Sequence, residues 1–330
     1  MSATLVVGGQ YGDEGKGKIL SYLAIHDKPD VVARAGVGPN AGHSVGYRGK
    51  TYKLRLVPCG FMAPSARFLI GAGVLVNADV FLKEIKECGI EKSAGIDRRA
   101  TLITQEYIDA DAASANSAKI GTTKTGCGPA AAARASRTAQ FVESDPRLKP
   151  YLCDVPKEVN AAKRLLIEGT QGFMLSNLYG TYPYVTSKDT SAATFCADVG
   201  LGPRKVKDVI LVIKAYTTRV GSGPFENEIG VEDAQKLGFQ EYGTVTGRPR
   251  RTSPSLHWEE LQFAAQINSA NYIALTKLDV KFPACAGIRK YEQLPADAKA
   301  FVSEIESKVG IPVGLIGTGP DAEDTIDRRS

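Results

Sequence analysis

Several things are scarce in this 330-residue chain, and each scarcity removes a class of protein. The six cysteines, Cys59, Cys88, Cys127, Cys153, Cys196 and Cys285, form no C-x-x-C pair, and there are three histidines. The usual zinc-ligand spacings are therefore missing, and the cysteines read as scattered reduced thiols. No apolar run approaches the ~18 residues that a bilayer span needs. The chain opens on a strand-like run without a basic segment followed by an apolar one, so a cytoplasmic protein is expected. Neither repeat nor low-complexity linker divides it, which predicts one domain over residues 1–330. A net charge of +5 is too mild to argue for nucleic acid, though it suits an anionic substrate.

What is present is a recurring pattern. The runs LVVGGQ (5–10), LLIEGTQG (165–172), VILVIKAYTTR (209–219), YIALTKLD (272–279) and VGLIGTGP (313–320) each read as a buried strand followed by glycine and polar residues. Amphipathic stretches lie between many of them: KGKILSYLAIH, DVFLKEIKECG, HWEELQFAAQI and DAKAFVSEIESKVG. Strands alternating with helices of that length predict an α/β fold, a mainly parallel central sheet flanked by helices. Ligands bind beyond the carboxyl ends of such strands, so the polar tails are expected to share one rim.

The stretch GDEGKGKI, starting at Gly12, fits a phosphate loop until its last position, where Ile19 replaces the Ser or Thr that would hold Mg²⁺. Strand, glycines and a helix starting near Gly15 aim backbone N–H groups at phosphate, with Lys16 and Lys18 adding charge. Asp13 inside the loop is costly beside phosphates unless it binds a cation or takes a proton. That pair of roles suits phosphoryl transfer, with Mg²⁺ on the carboxylate.

Other segments carry weaker signals. GVGPNAGHS (36–44) places Asn40 and His43 in a glycine-flanked loop after VVARA, where the histidine is a candidate acid near neutral pH. IGTTKTGCGP (120–129) mixes hydroxyls and glycines before an alanine-rich helix, a form that cradles anions, and Arg137 follows along that helix. In EGTQGF, Gln171 can offer a donor and an acceptor to a base edge, and GTYPYVTS ends on Thr186 and Ser187. GTVTGRPRR (243–251) holds three arginines within four positions, which suits a small dianionic substrate. In LTKLD, the Lys277 stem would cover a purine and Asp279 would accept from N1–H and N2–H₂, selecting guanine.

GGQYGDEGKGK, NAGHS, EGTQG, GTYPYVTS, TRVGSGPF, GTVTGR, TKLD and GTGP in this order resemble the adenylosuccinate synthetase family over essentially the whole chain, nearest its compact archaeal branch. The resemblance implies a P-loop-like nucleotide site and a C–N ligase that joins IMP and L-aspartate with GTP and Mg²⁺. It implies three catalytic residues: Asp13 as base for IMP N1 and metal ligand, His43 as stabiliser of the phosphoryl and leaving-group charge, and Gln171 on O6 and N7. The second metal contact is the Gly42 carbonyl.

By the same resemblance, Asp13, Glu14, Gly15 and Lys16 meet the substrate nucleotide together with Asn40, Ala41, Gly42 and His43. Thr123, Gln171, Thr186, Val220 and Arg248 complete that set, and Arg137 reaches the nucleotide of a neighbouring subunit in a homodimer. Thr244, Val245, Thr246 and Gly247 bind aspartate with Arg248 and Arg250. GTP falls to Gly12, Asp13, Glu14, Gly15, Lys16, Gly17 and Lys18, then Gly42, His43, Ser44 and Arg250. Its base falls to Lys277, Leu278 and Asp279 above Gly317, Thr318 and Gly319. Lys124 departs from the family pattern, standing where glycine is usual.

Two alternatives are weighed. A related phage branch performs this chemistry on dGMP, with ATP, dATP or GTP as donor, for a 2-aminoadenine DNA pathway. Its members often carry serine at the loop aspartate, so Asp13 favours IMP. A non-catalytic GTP-binding switch would share the loop and TKLD, but has no need of Asn40, His43 and Arg250 on one rim.

Overall fold

The computed structural model describes residues 2–243 and 247–329. Its centre is a ten-stranded sheet, whose strands are β1 (Ser2–Gly8), β2 (Val31–Arg34), β3 (Arg67–Ile70), β4 (Ala94–Asp97), β5 (Leu152–Cys153), β6 (Arg164–Glu168), β7 (Val206–Lys214), β8 (Tyr272–Thr276), β9 (Val313–Gly317) and β10 (Thr325–Asp327). Across the sheet the order is β10-β9-β8-β7-β1-β6-β2-β3-β4-β5. Only the β9–β10 pairing is antiparallel. The mainly parallel α/β sheet expected from the apolar runs is therefore present. The five runs are five neighbouring strands, β9-β8-β7-β1-β6.

Both faces of the sheet are apolar, as crossover helices on both sides require. Along β1, Ala3, Leu5 and Val7 enter the core on one face while Val6 enters the core on the other. Along β7, Val209, Leu211 and Ile213 face the first core, and Ile210 and Val212 the second. Burying each such side chain contributes about 1.5–3 kcal/mol, which holds the register against a one-residue slip. The run 209–219 is not one strand, however. It breaks at Ala215 and Tyr216, and Thr217–Arg219 turns away to pair antiparallel with Arg251–Ser253.

Helix α1 (Lys16–His26) packs into the second core and is buried from Lys16 to Ala24. Gly17 in its first turn lets it lie against the hairpin His43–Tyr47/Lys50–Leu54. A Cβ there would sit 3.2 Å from Cys59 Sγ, His43 Cβ and the Ser44 carbonyl oxygen. That close approach puts the NAGHS segment beside the phosphate-type loop. Among the described residues, no helix is long and apolar enough to cross a membrane.

Candidate active site

The loop between β1 and α1 is folded by Glu14. Its carboxylate is fully buried and accepts from the backbone N–H of Gln10 (3.2 Å) and Gly12 (2.8 Å), while Lys16 Nζ pairs with it at 2.6 Å. Burial alone would raise this carboxyl, but Lys16 and the N–H donors hold it below the usual carboxylate range. Lys16 also donates to the Gln171 carbonyl at 2.6 Å, fastening the first loop to the loop after β6. Gly172 makes the contact possible, since a Cβ there would lie 2.2 Å from the Gln10 carbonyl oxygen. Asp13 and Gln171 take φ of 62° and 64° at the facing loops. Four of the ten positive-φ non-glycine residues among those described, Asp13, Arg137, Gln171 and Lys277, are candidate site residues.

His43 opens the hairpin strand and lines the cavity described below. Its Nδ1 meets a Glu168 carboxylate oxygen that also accepts from the Arg34 guanidinium, itself 2.9 Å from Nδ1. The second Glu168 oxygen accepts from the Cys59 N–H at 2.7 Å. Glu168 ends β6 and Arg34 ends β2, so adjacent parallel strands deliver the pair, and both side chains are fully buried. Burial and then Arg34 push the imidazolium down to about 4 against the pull of Glu168. Although burial opposes it, the Arg34 and His43 partners hold the Glu168 carboxyl down at about 2. With Nδ1 against Glu168 and Arg34, Nε2 is the ring nitrogen left for a ligand. Cys59 Sγ joins His43 and Glu168 in a trio of potential metal ligands within 4.8 Å of one another. A cation there would meet the Arg34 guanidinium, so we read the trio as an ionic hydrogen-bond network.

A cavity of about 510 Å³ lies on the rim. Gly12, Asp13, Lys16, Asn40, Ala41, Gly42, His43, Thr123, Gln171, Thr186, Val220, Arg248 and Arg250 all line it, so much of the candidate set converges. Asn40 Nδ2 donates to Thr186 Oγ1 at 3.2 Å, which joins two of the phosphate-site candidates, and Asn40 Oδ1 is buried without a partner. Arg248 donates to the Gly121 carbonyl at 2.7 Å across the cavity mouth. Arg250 is buried, donates to Thr218 Oγ1 (2.8 Å) and the Gly12 carbonyl (3.0 Å), and stands 3.5 Å from the Asp13 carboxylate. The Asp13 side chain keeps 29% of its surface exposed in this wall. A carboxylate and a backbone carbonyl, Asp13 and Gly42, are hard oxygen donors of the kind Mg²⁺ takes.

The remaining candidates are arranged otherwise. Lys18 points away from the cavity and donates to the carbonyls of Gly319 (2.7 Å), Asp321 (2.5 Å) and Asp324 (2.8 Å), in the loop after β9. Its charge organises that loop, whereas the phosphate-loop pattern leads us to expect it toward phosphate. Glu14 is fully buried, and both of its carboxylate oxygens are engaged within the loop. Leu278 is buried in the core, and Thr318 donates to the Ile288 carbonyl at 2.6 Å, so neither side chain is available to a base. Lys277, half-exposed at 45%, and the partly buried Asp279 follow β8, the strand that pairs with β9, and neither lines the cavity. Gly15 caps α1, and Ser44 is exposed on the hairpin. Arg137 ends helix Cys127–Ser136 and is exposed, outside the cavity of its own chain. Gly247 is exposed at positive φ, while Thr244, Val245 and Thr246 lie outside the described residues. Lys124 takes a φ of 54°, so the position retains a glycine-like backbone in spite of its side chain.

Three groups escaped the motif reading. Asp111 accepts from the Gly126 N–H (2.9 Å), Ser117 Oγ (2.7 Å) and Thr122 Oγ1 (3.2 Å), and so shapes the 121–126 cradle. Glu241 binds Lys214 Nζ (2.5 Å), the Tyr216 hydroxyl (2.8 Å) and Lys277 Nζ (3.3 Å), anchoring the base-side lysine. Arg34 and Glu168 are the third, and their one sequence signal is a charge within or closing an apolar strand.

A carboxylate, a histidine and the Lys277–Asp279 pair after β8 on a parallel sheet, around a loop of phosphate-binding form, define a nucleotide-using enzyme of P-loop-like build. The adenylosuccinate synthetase family model matches residues 5–143, 138–283 and 281–326. The adenylosuccinate synthetase of Methanosphaera stadtmanae is 51% identical over 338 residues, covering 100% of this chain and 99% of its own. That of Pyrococcus horikoshii is 50% identical over 337 residues, with 100% and 99% covered. The fully ligated adenylosuccinate synthetase of Plasmodium falciparum superposes with a TM-score of 0.92 at 26% identity, covering 99% of each chain. The succinoaminodeoxyadenylate synthetase of cyanophage S-2L, bound to dGMP and dATP, gives 0.83 at 26% identity, covering 100% of this chain and 96% of its own. This chain belongs to the adenylosuccinate synthetase family and is a ligase that forms a C–N bond.

Proposed function

We propose that the chain joins L-aspartate to IMP at the cost of GTP, through 6-phosphoryl-IMP. The observation that carries the reading is the meeting of Asp13, Lys16, His43 and Gln171 on one wall of a cavity of about 510 Å³. Asp13 takes the proton from N1 of IMP, and the freed electron pair moves onto O6. Gln171 orients the base through O6 and N7. The O6 oxyanion attacks the γ-phosphorus, the bond to the bridging oxygen breaks, and GDP leaves. Lys16 and His43 meet the charge that moves across this bond, and the arriving phosphoryl oxygens favour the protonated imidazole. The aspartate amine then attacks C6, inorganic phosphate departs, and the amine loses a proton to give adenylosuccinate. Mg²⁺, held by the Asp13 carboxylate and the Gly42 carbonyl, would neutralise charge on the donor phosphates.

Arg248 and Arg250 suit the two carboxylates of aspartate and the nucleotide ribose. Lys277 and Asp279 suit guanine in the donor, because adenine lacks the N1–H and N2–H₂ donors that Asp279 would accept. A homodimer is proposed in which Arg137 serves the neighbouring subunit's nucleotide.

The likeness to the cyanophage enzyme bound to dGMP and dATP supports a second reading in which dGMP is the acceptor. Identities of 50–51% to adenylosuccinate synthetases against 26% to the phage enzyme favour IMP. The test is phosphate release with aspartate and either IMP or dGMP, each with GTP or ATP. IMP with GTP should be fastest. Equal or faster turnover with dGMP would overturn the substrate assignment, and nucleotide binding without consumption of aspartate would indicate a switch.

A further inference from the structure

We propose that Glu168, assisted by Arg34, is a positioning residue for the phosphoryl-transfer step: it holds Nδ1 of His43 so that Nε2 is the nitrogen offered to the reacting oxygens. The proposal rests on the reading that His43 meets the transferring phosphoryl group. Its own basis is geometric. The carboxylate is fully buried and both of its oxygens are engaged. One oxygen meets both His43 Nδ1 and an Arg34 N–H, and the other takes the Cys59 N–H at 2.7 Å. Arg34 is in turn fixed by the Arg55 carbonyl at 3.0 Å, so the carboxylate has one allowed orientation.

The hairpin that carries His43 is held along its length by Val45 and Leu54 in the core and by the Ala322 N–H on the Gly46 carbonyl. Three contacts fix its first residue: the Glu168 bond, α1 packed across Gly17, and the pairing of His43 with Leu54. Of these, the Glu168 contact favours a proton on Nδ1, because a carboxylate oxygen against a bare ring nitrogen would be repulsive, and it does so against an Arg34 N–H that lies 2.9 Å from the same nitrogen. The arrangement follows the logic by which a third group orients a catalytic histidine from behind, fixing tautomer and direction together. The strands place it economically. β2 and β6 pair with Arg34 opposite Glu168 in register, so the ion pair and the histidine support form as one consequence of sheet pairing.

The experiment uses the full-length protein with IMP, GTP, Mg²⁺ and aspartate. Glu168→Gln should lower kcat by roughly 10²-fold while KM for IMP and GTP moves less than about 3-fold. In a His43→Asn background the same substitution should cost less than about 3-fold further, because two residues acting as a unit are not additive. A kcat loss below about 5-fold, or the full loss repeated in the His43→Asn background, would reduce Glu168 to a structural role and overturn the proposal.

Removing a charge beside Arg34 risks the fold, so a second measurement stands on the unaltered protein. Histidine-selective ¹⁵N labelling gives only three ring systems to resolve, and His43→Asn assigns the one in question. The expected species is the Nδ1–H tautomer in the absence of nucleotide. An Nε2–H tautomer with bare Nδ1 would sink the idea. Failure of the wild-type chain to release phosphate with IMP would instead refute the function proposed above, leaving the tautomer result unaffected.

Discussion

Asp13 occupies a position that few side chains tolerate. Its φ of 62° places a carboxylate at the tip of a glycine-flanked loop, where most loops of this form present only backbone. The nearest cation is Arg250, 3.5 Å away, so the acid is restrained without being saturated. That is the arrangement a general base needs. Asp13→Asn keeps shape and polarity and should keep nucleotide binding, while turnover falls by at least about 10²-fold. Equilibrium binding of IMP and GTP alongside steady-state rates would separate the two effects. A near-normal rate would move the base elsewhere. Gly172 presents the opposite kind of constraint. Any Cβ at 2.2 Å from the Gln10 carbonyl must drive the two loops apart, so Gly172→Ala should destabilise the protein by about 1–3 kcal/mol, read as a lowered Tm, and depress activity with it.

Elements, more than single residues, explain where the Lys18 ammonium is held. It leaves the first turn of α1 and is captured by three carbonyls of the 319–324 loop, which follows β9 beneath the proposed guanine reader. A substitution that removes the ammonium leaves those acceptors without their donor, and the loop under the base should loosen. Lys18→Met is expected to raise KM for GTP about 10-fold or more and KM for IMP less than about 3-fold. Equal effects on both would return Lys18 to the phosphates. The same element scale shows what a sequence can disclose. The five apolar runs announced five adjacent strands, because strands buried on both faces are apolar throughout and stand out from any background. The short strands Ala94–Asp97 and Leu152–Cys153 gave no such signal. The break at Ala215–Tyr216 was hidden within a continuous apolar run. For the site, loop motifs were legible because glycine and charge at fixed spacing carry backbone meaning. The Arg34–Glu168–His43 network was not, since its members are 134 and 125 residues apart and nothing local in EGTQG says which histidine it faces. Glu14 and Lys18 look like ligand groups in the motif, and only the packed structure shows them turned onto the protein itself.

At the scale of the whole molecule, the question is whether one chain completes a site. Helix Cys127–Ser136 begins at the cavity, where Cys127 and Gly128 line it, and runs roughly 15 Å outward before Arg137. An exposed arginine outside the cavity lining suits a two-fold partner's nucleotide, with the exchange reciprocal by symmetry. Arg137→Leu should therefore raise KM for IMP by about 10-fold or more, the loss expected for a charge-assisted phosphate contact, with KM for GTP nearly unchanged. Mixing supplies the decisive version. In a hybrid of one Arg137→Leu subunit and one Asp13→Asn subunit, the first keeps its own aspartate and borrows an intact arginine, while the second site has neither. Random assortment makes half the dimers hybrid with one working site each, so co-refolded or exchanged subunits should recover about a quarter of the wild-type rate at an IMP concentration that leaves each parent nearly inactive. Activity that stays at the mean of the two parents would mean that Arg137 acts within its own chain or does not act at all.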